Sequence, residues 1–322
     1  NATLNTEGQS VTFVYVDSVQ GWVNTMDSTS NVRGVPPYIT ATGGTPACGT
    51  ICGDYKIHKF TGPGTFCVSR AATCAADNLV SYMVVAGGAG GGYDVGGGGG
   101  AGGYREVVSP TSPYSGSPIE GYPNAPNRIT VTATGFPIVV GAGGAGSTSG
   151  PGCAGVGYNS SFSTITSAGG GIGGGYPGKN GGAGGSGGGG AGHSASTTGG
   201  AGDTPPTTPA QGNTGGNAAS PSGFQTGGGG GGATATGSNS VNDGTPTGVT
   251  PRAAGATTSI TASPVEYAQG GRGSADGYTT PLAGGDNTGT GGDGAGITPL
   301  HTPVNAGANG GSGIVVIRYK FQ

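Results

Sequence analysis

The sequence predicts an all-β protein with little or no helix. Three observations carry that expectation. No stretch shows an apolar period of 3.6 residues. Short runs of β-branched and aromatic residues recur, as in "SVTFVYVD" at 10–17 and "GIVVIRYKF" at 313–321. Glycine supplies 80 of the 322 residues, in tracts that begin or end on such runs.

The elements follow in chain order. The run at 10–17 is the first strand, and Trp22 behind Gly21 is expected to anchor a small core. A Pro/Gly/Thr-rich connector leads to "YKIHKFTGPGTFCVSR" at 55–70, which has the pattern of a hairpin. In that register Tyr55, Ile57, Phe66 and Val68 share one face, and His58 faces Cys67 on the other. A His–Cys pair invites a metal or nucleophile reading. No third ligand or orienting acid stands at a fitting spacing, so a packed pair is the plainer expectation. The strand "LVSYMVVAGG" at 79–88 then enters the first glycine tract. The closing "GGSGIVVIRYKFQ" mirrors it, with glycine first and strand second. Pairing the two would bring both ends of the glycine region together. In the closing strand Val315, Ile317, Tyr319 and Phe321 share a face opposite Arg318 and Lys320, which suggests half burial.

Only nine of the glycines precede Ala86, which marks a boundary there. Residues 1–85 read as a small β attachment region and 86–313 as packed glycine strands with long loops, closed by a strand at 314–321. Glycine loses more backbone entropy on ordering than any other residue, so the tracts need a reward. Extended threefold strands have no internal hydrogen bonds. Packed side by side, they can give each N–H and C=O to a neighbour. Bare glycine permits that approach on all sides. A lattice of polyglycine II helices, with a core of backbone hydrogen bonds, is therefore expected.

Composition excludes several classes. Charged residues make up 8% of the chain, hydrophobic residues 32%, and the net charge is −3. No basic stripe marks a nucleic-acid partner. No apolar run approaches the ~18 residues of a membrane span, so no membrane insertion is expected. Without an initiator Met, the chain reads as a mature product or a piece of a longer protein. Cys48, Cys52, Cys67, Cys74 and Cys153 are odd in number and lack zinc-site spacing. Local disulfides and reduced thiols both remain open. G-x-G-x-x-G matches carry nothing at this glycine density.

Several segments outside the tracts place an aromatic among small polar residues: Tyr104, Tyr114, Tyr122, Phe224 and Tyr278. Rigid aromatics on loops give contact area at low entropic cost, so these five are the candidate binding residues. No catalytic residue, metal site or cofactor is expected. The 14 acids and the three histidines, His58, His193 and His301, form no recognisable constellation. A glycan-cleaving carboxylate pair is the enzymatic alternative. Ice binding is a further one, opposed by uneven tract lengths and bulky loops.

"IHKFTGPGTFCV", "VSYMVVAGGAGGG", "NSSFSTITSAGGG" and "GGSGIVVIRY" together resemble the glycine-rich domain of bacteriophage tail-fibre tip adhesins. "TLNTEGQSVTFVYVDSVQGWVNTMDSTSNVRG" resembles the end of a fibre module upstream of such domains in marine, cyanophage-type phages. The resemblance implies residues 1–45 as the end of that module, 46–85 as a hairpin and strand leading into the tip, and 86–322 as the polyglycine II domain. It further implies a homotrimeric virion protein at the distal part of a tail or head fibre. Its loops would recognise a host-surface glycan or outer-membrane protein, and it would contact other fibre proteins. A head-fibre, decoration or lattice component that binds no receptor is the alternative.

Overall fold

The computed structural model describes residues 11–19, 21–27, 37–149, 154–192, 196–218, 226–240, 249–275, 280–296 and 306–322. The chain divides into two compact units, residues 1–37 and 38–322. The division precedes residue 45 because the segment after Tyr38 already pairs within the larger unit. The strands are β1 (Val11–Asp17), β2 (Gly21–Asp27), β3 (Thr40–Thr42), β4 (Thr50–Cys52), β5 (Tyr55–Phe60), β6 (Gly64–Arg70), β7 (Ser81–Val85), β8 (Tyr104–Val107), β9 (Gly135–Val139), β10 (Ser160–Phe162), β11 (Ile165–Ser167), β12 (Ala256–Thr258), β13 (Val265–Tyr267) and β14 (Ile314–Lys320). Apart from these strands, two short 3-10 turns, Ala75–Asn78 and Ala125–Asn127, are formed among the described residues. The fold is all-β, as the sequence led one to expect.

The small unit is an antiparallel hairpin of β1 and β2 with Tyr15 opposite Trp22. Their rings meet edge to face at 5.5 Å. Trp22 nonetheless stays 69% exposed, and Phe13, Val14, Tyr15 and Val16 are exposed with it. The expectation that Trp22 anchors a core is corrected: among the described residues of this unit, Tyr15 meets its ring but leaves most of it exposed.

The large unit holds two five-stranded sheets, ordered β4-β5-β14-β7-β8 and β11-β10-β9-β6-β3. Both contribute to one apolar core: Phe60, Tyr82, Val84, Val315, Ile317 and Tyr319 from the first, Phe66, Val68, Ile138 and Phe162 from the second. Burying each such side chain contributes about 1.5–3 kcal/mol. The expected 55–70 hairpin does not form. β5 pairs with β14 and β6 with β9, so Thr61–Pro63 carries the chain from one sheet to the other. The His58–Cys67 pairing falls with it. The reason is long-range competition, since β14 offers β5 a continuous apolar partner.

β14 does pair antiparallel with β7, Ile314 opposite Val85 through Arg318 opposite Ser81. The two ends of the glycine region therefore meet as expected. Half burial of β14 is corrected, because both its faces are covered. Val315, Ile317 and Tyr319 enter the core between the sheets, while Ile314 and Val316 join a second cluster with Met83, Val85, Tyr104, Ile260 and Tyr267. Arg318 is tolerated inside because its guanidinium lies 4.4 Å from the centre of the Tyr55 ring and donates to the Pro113 carbonyl.

His58 is fully buried between the sheets, stacked on Tyr319 and edge-on to Phe66. Burial pushes the Tyr319 hydroxyl above its usual range, so it remains a donor. His58 Nδ1–H donates to the Gly43 carbonyl at 2.7 Å, and Nε2 accepts from Tyr319 at 3.1 Å. Burial holds the imidazole pKa below 6.5, and the Lys56 charge acts the same way, against the Gly43 hydrogen bond. The unfolded chain therefore takes up this proton before the folded one does. Stability is expected to fall as pH drops through 6.5, by at most about 1.4 kcal/mol per pH unit from this group. Urea melts at pH 7.5 and pH 5 check it, with His58→Gln flattening the difference.

Beyond the sheets the glycine tracts form the lattice that the composition called for. The strand at 96–103 sits at its centre. Gly97, Gly100 and Gly103 donate to Gly174, Gly171 and Ala168, and Gly98 and Ala101 donate to Gly228 and Gly231. Gly96, Gly99 and Gly102 donate to Ala295, Gly292 and Gly289. The carbonyls at 97, 100 and 103 accept from Gly92, Ala89 and Ala86, those at 98 and 101 from Gly189 and Ser186, and those at 96 and 99 from Ser274 and Gly271. The partner changes with each residue and returns after three, the period of a polyglycine II helix. The six surrounding tracts also bond to one another in a closed ring, for example Gly170 N–H to Gly87, Gly171 to Ser186, Gly231 to Gly187, Gly230 to Gly271, Gly294 to Arg272 and Gly292 to Ala89.

At several positions in the outer tracts an asparagine side chain takes the place of a backbone carbonyl as acceptor. Asn180, Asn217, Asn239 and Asn309 accept through Oδ1 from the backbone N–H groups of Thr198, Gly199, Asn217 and Gly146 at 2.8–3.0 Å.

Candidate functional site, the open end of the glycine bundle

Successive glycine helices run up and down, so the bundle has two ends. At one end the helices join the sheets: Ala86 follows β7, Gly103 precedes β8, Ala168 follows β11 and Gly313 precedes β14. At the other end Gly92 and Gly96 bond to Ala295, Tyr93 to Tyr176, Val95 to Gly192, Ser274 to Gly227, and Ser147 to Gly307. Residues 149, 192, 218, 240, 275 and 296 are the last described ones where the chain leaves at this end, and 154, 196, 226, 249, 280 and 306 are the first where it returns. Among the described residues, these six pairs of tract ends therefore lie at the end away from the sheets. The described core of the bundle is made of backbone hydrogen bonds rather than of large side chains.

Tyr104 is buried at the sheet end. It is the first residue of β8, 1% exposed, and its hydroxyl donates to Glu106 at 2.9 Å. Burial raises its pKa well above the usual value, with the Glu106 charge acting in the same direction. Glu106 is itself buried and also accepts from the Ser117 N–H and the Thr258 hydroxyl. Tyr114 packs half-buried against the same cluster, its ring near Arg318 and its hydroxyl donating to the Val107 carbonyl. Tyr122 is half-buried under the Arg128 guanidinium, 4.2 Å from the ring centre. These three tyrosines belong to the sheet end and are not brought together with the open end. Phe224 and Tyr278 lie outside the described residues.

The sequence-based list omits Tyr93 and Tyr176, which do sit at the open end. Their signal was present in "GGGYDVGGGGG" and "GGGYPGKNGG": a few non-glycine residues between tracts of similar length mark a reversal. Cys48, Cys52, Cys67 and Cys74 are free thiols, and Cys153, His193 and His301 lie outside the described residues. Among the described residues no group of three or more His, Cys, Asp and Glu gathers as metal ligands would.

Fold and site together define a β protein whose second core is a polyglycine II bundle. Residues 61–320 match the model of the glycine-rich domain family, and the chain belongs to that family. No curated protein matches it.

Proposed function

We propose that the chain is a non-enzymatic receptor-binding adhesin of a bacteriophage, carried in the distal part of a virion fibre. The observation that supports this reading is that the described glycine tracts stop and resume at the end away from the sheets, in a bundle whose core is made of backbone hydrogen bonds. That is what a surface under pressure to change its target needs. The β1–β2 hairpin supports the attachment half of the proposal. An isolated two-stranded hairpin is marginal in water, and its exposed Phe13, Tyr15 and Trp22 suit burial against other fibre chains or further copies of this one. Purified protein is expected to block adsorption of the virion to host cells in a dose-dependent manner. Undiminished adsorption at saturating protein would overturn the adhesin reading in favour of a structural virion component. Release of reducing ends from host polysaccharide would overturn the non-enzymatic part.

A further inference from the structure

The loop at 43–49 runs from β3 at the edge of one five-stranded sheet to β4 at the edge of the other. It supplies no member of either apolar cluster. Hydrogen bonds hold it instead. The Thr45 N–H donates to the Lys59 carbonyl of β5 at 2.8 Å, and Gly43 and Gly49 donate to Ala47 and Pro46 within the loop. Gly49 sits in the left-handed region at φ 74°, and a Cβ there would lie 2.8 Å from His58 Nε2. At Gly44 a Cβ would run into the Lys59 carbonyl. The loop backbone is thus laid against β5 and against the imidazole of His58.

His58 is the buried end of this arrangement, at 0% exposure. Its Nδ1–H donates to the Gly43 carbonyl of the loop, and its Nε2 accepts from the Tyr319 hydroxyl of β14. The other groups against or facing the ring are Phe66 of β6, Gly49 of the loop and Lys56 two residues earlier on β5. None of them is an acid, and the one charge among them has the sign of an imidazolium. A second ring proton would meet the Tyr319 hydroxyl, which now donates to that nitrogen. The neutral ring fits the closed loop and the charged ring does not.

We infer that the 43–49 loop is an acid-released latch, held shut by neutral His58 and opened when that ring takes up a proton. Opening lets water reach the imidazole, and water is where its charged form is favoured. The open form therefore binds the proton first, and falling pH shifts the population toward it. The shift is at most tenfold for each pH unit below 6.5, or roughly 30-fold at pH 5. The apolar core can stay intact meanwhile, because the loop contributes nothing to it and local opening costs less than global unfolding.

The test is amide exchange of the full chain, followed by NMR at pH 7.5 and pH 5 and corrected for the intrinsic pH dependence of exchange. Thr45 reports on the loop, and Gly99, in the glycine bundle, on the whole large unit. Protection of the Thr45 amide is expected to fall by more than about threefold and at most about 30-fold. His58→Gln is expected to abolish that pH dependence. Sub-denaturing urea separates local from global opening: Thr45 exchange should not respond to it, while Gly99 exchange should rise. Thr45 exchange that rises with urea as steeply as that of Gly99 overturns the latch, since the loop would then open only with the whole unit. Thr45 protection that stays the same at both pH values overturns it as well. The wild-type ring gives a check that needs no variant: the His58 imidazole should titrate below pH 6.5, and a midpoint at or above 6.5 overturns the proposal.

Discussion

Gly99→Ala is expected to destabilise the large unit by about 3 kcal/mol or more, at the upper end of what overpacking costs. Gly99 lies in the middle of the central helix, donating to Gly292 and accepting from Gly271. A methyl group there would press into the Ala89 carbonyl, 2.8 Å from its carbon, and lie 2.8 Å from the Gly90 oxygen. Neither can retreat like the end of a flexible side chain. Both belong to a neighbouring helix that is itself bonded on several sides, so one methyl displaces a whole row. Gly62→Ala is the control, because nothing lies within 4 Å of a Cβ at that position. It is expected to be neutral or to stabilise by up to about 1 kcal/mol through the unfolded state. Thermal melts check both. At roughly 2–4 °C per kcal/mol for a unit of this size, Gly99→Ala should lose about 6–12 °C and Gly62→Ala none. Equal melting points would mean that the glycines are not packed backbone to backbone.

This lattice also explains which parts of the fold the sequence made legible. The type of core could be read, because bare glycine between apolar strands has few other uses. The pairing of β7 with β14 could be read too, since both carry apolar runs on the inner edge of the glycine region. Which tract lies beside which could not. Gly97 bonds to Gly174 and Gly98 to Gly228, and no side chain distinguishes those choices. The 55–70 segment misled for a related reason. "TGPG" serves a tight hairpin and a crossing between sheets alike, and the partner that decides is β14 at the far end of the chain. Tyr104 misled because an aromatic among glycines looks like a loop, although "YREV" alternates as a strand does, with Tyr104 and Glu106 buried and Arg105 half-exposed. The open end was hidden because its position depends on the up-and-down order of helices that look alike in sequence.

Asp293→Ala is expected to cost about 3–5 kcal/mol, the loss typical of breaking a buried ion pair by removing one partner. Asp293 sits in the ring around the central helix, where a charge needs compensation. Its Oδ1 lies 2.6 Å from the Arg252 guanidinium, and the two side chains are 0% and 16% exposed. The carboxylate also accepts from the backbone N–H groups of Arg272 and Leu282, at 2.9 and 3.2 Å. Arg252 in turn donates to the carbonyls of Gly291 and Leu282. One carboxylate thus ties Arg252 to the backbone at Arg272 and Leu282. Removing it leaves two backbone donors without their acceptor and the guanidinium without its counter-charge. Asp293→Asn keeps an acceptor for the backbone and should cost less. Arg252→Met leaves the carboxylate buried without its cation and should also cost several kcal/mol (~3). The double variant Arg252→Met/Asp293→Asn removes both charges and is expected to fall short of the sum of the two single losses. Urea unfolding of the four proteins gives that coupling directly. Repeating it in 1 M NaCl should change it little, because salt screens a buried pair far less than an exposed one. Strict additivity, or a loss that vanishes in salt, would place the pair at the surface and leave the ring to stand on its backbone hydrogen bonds alone.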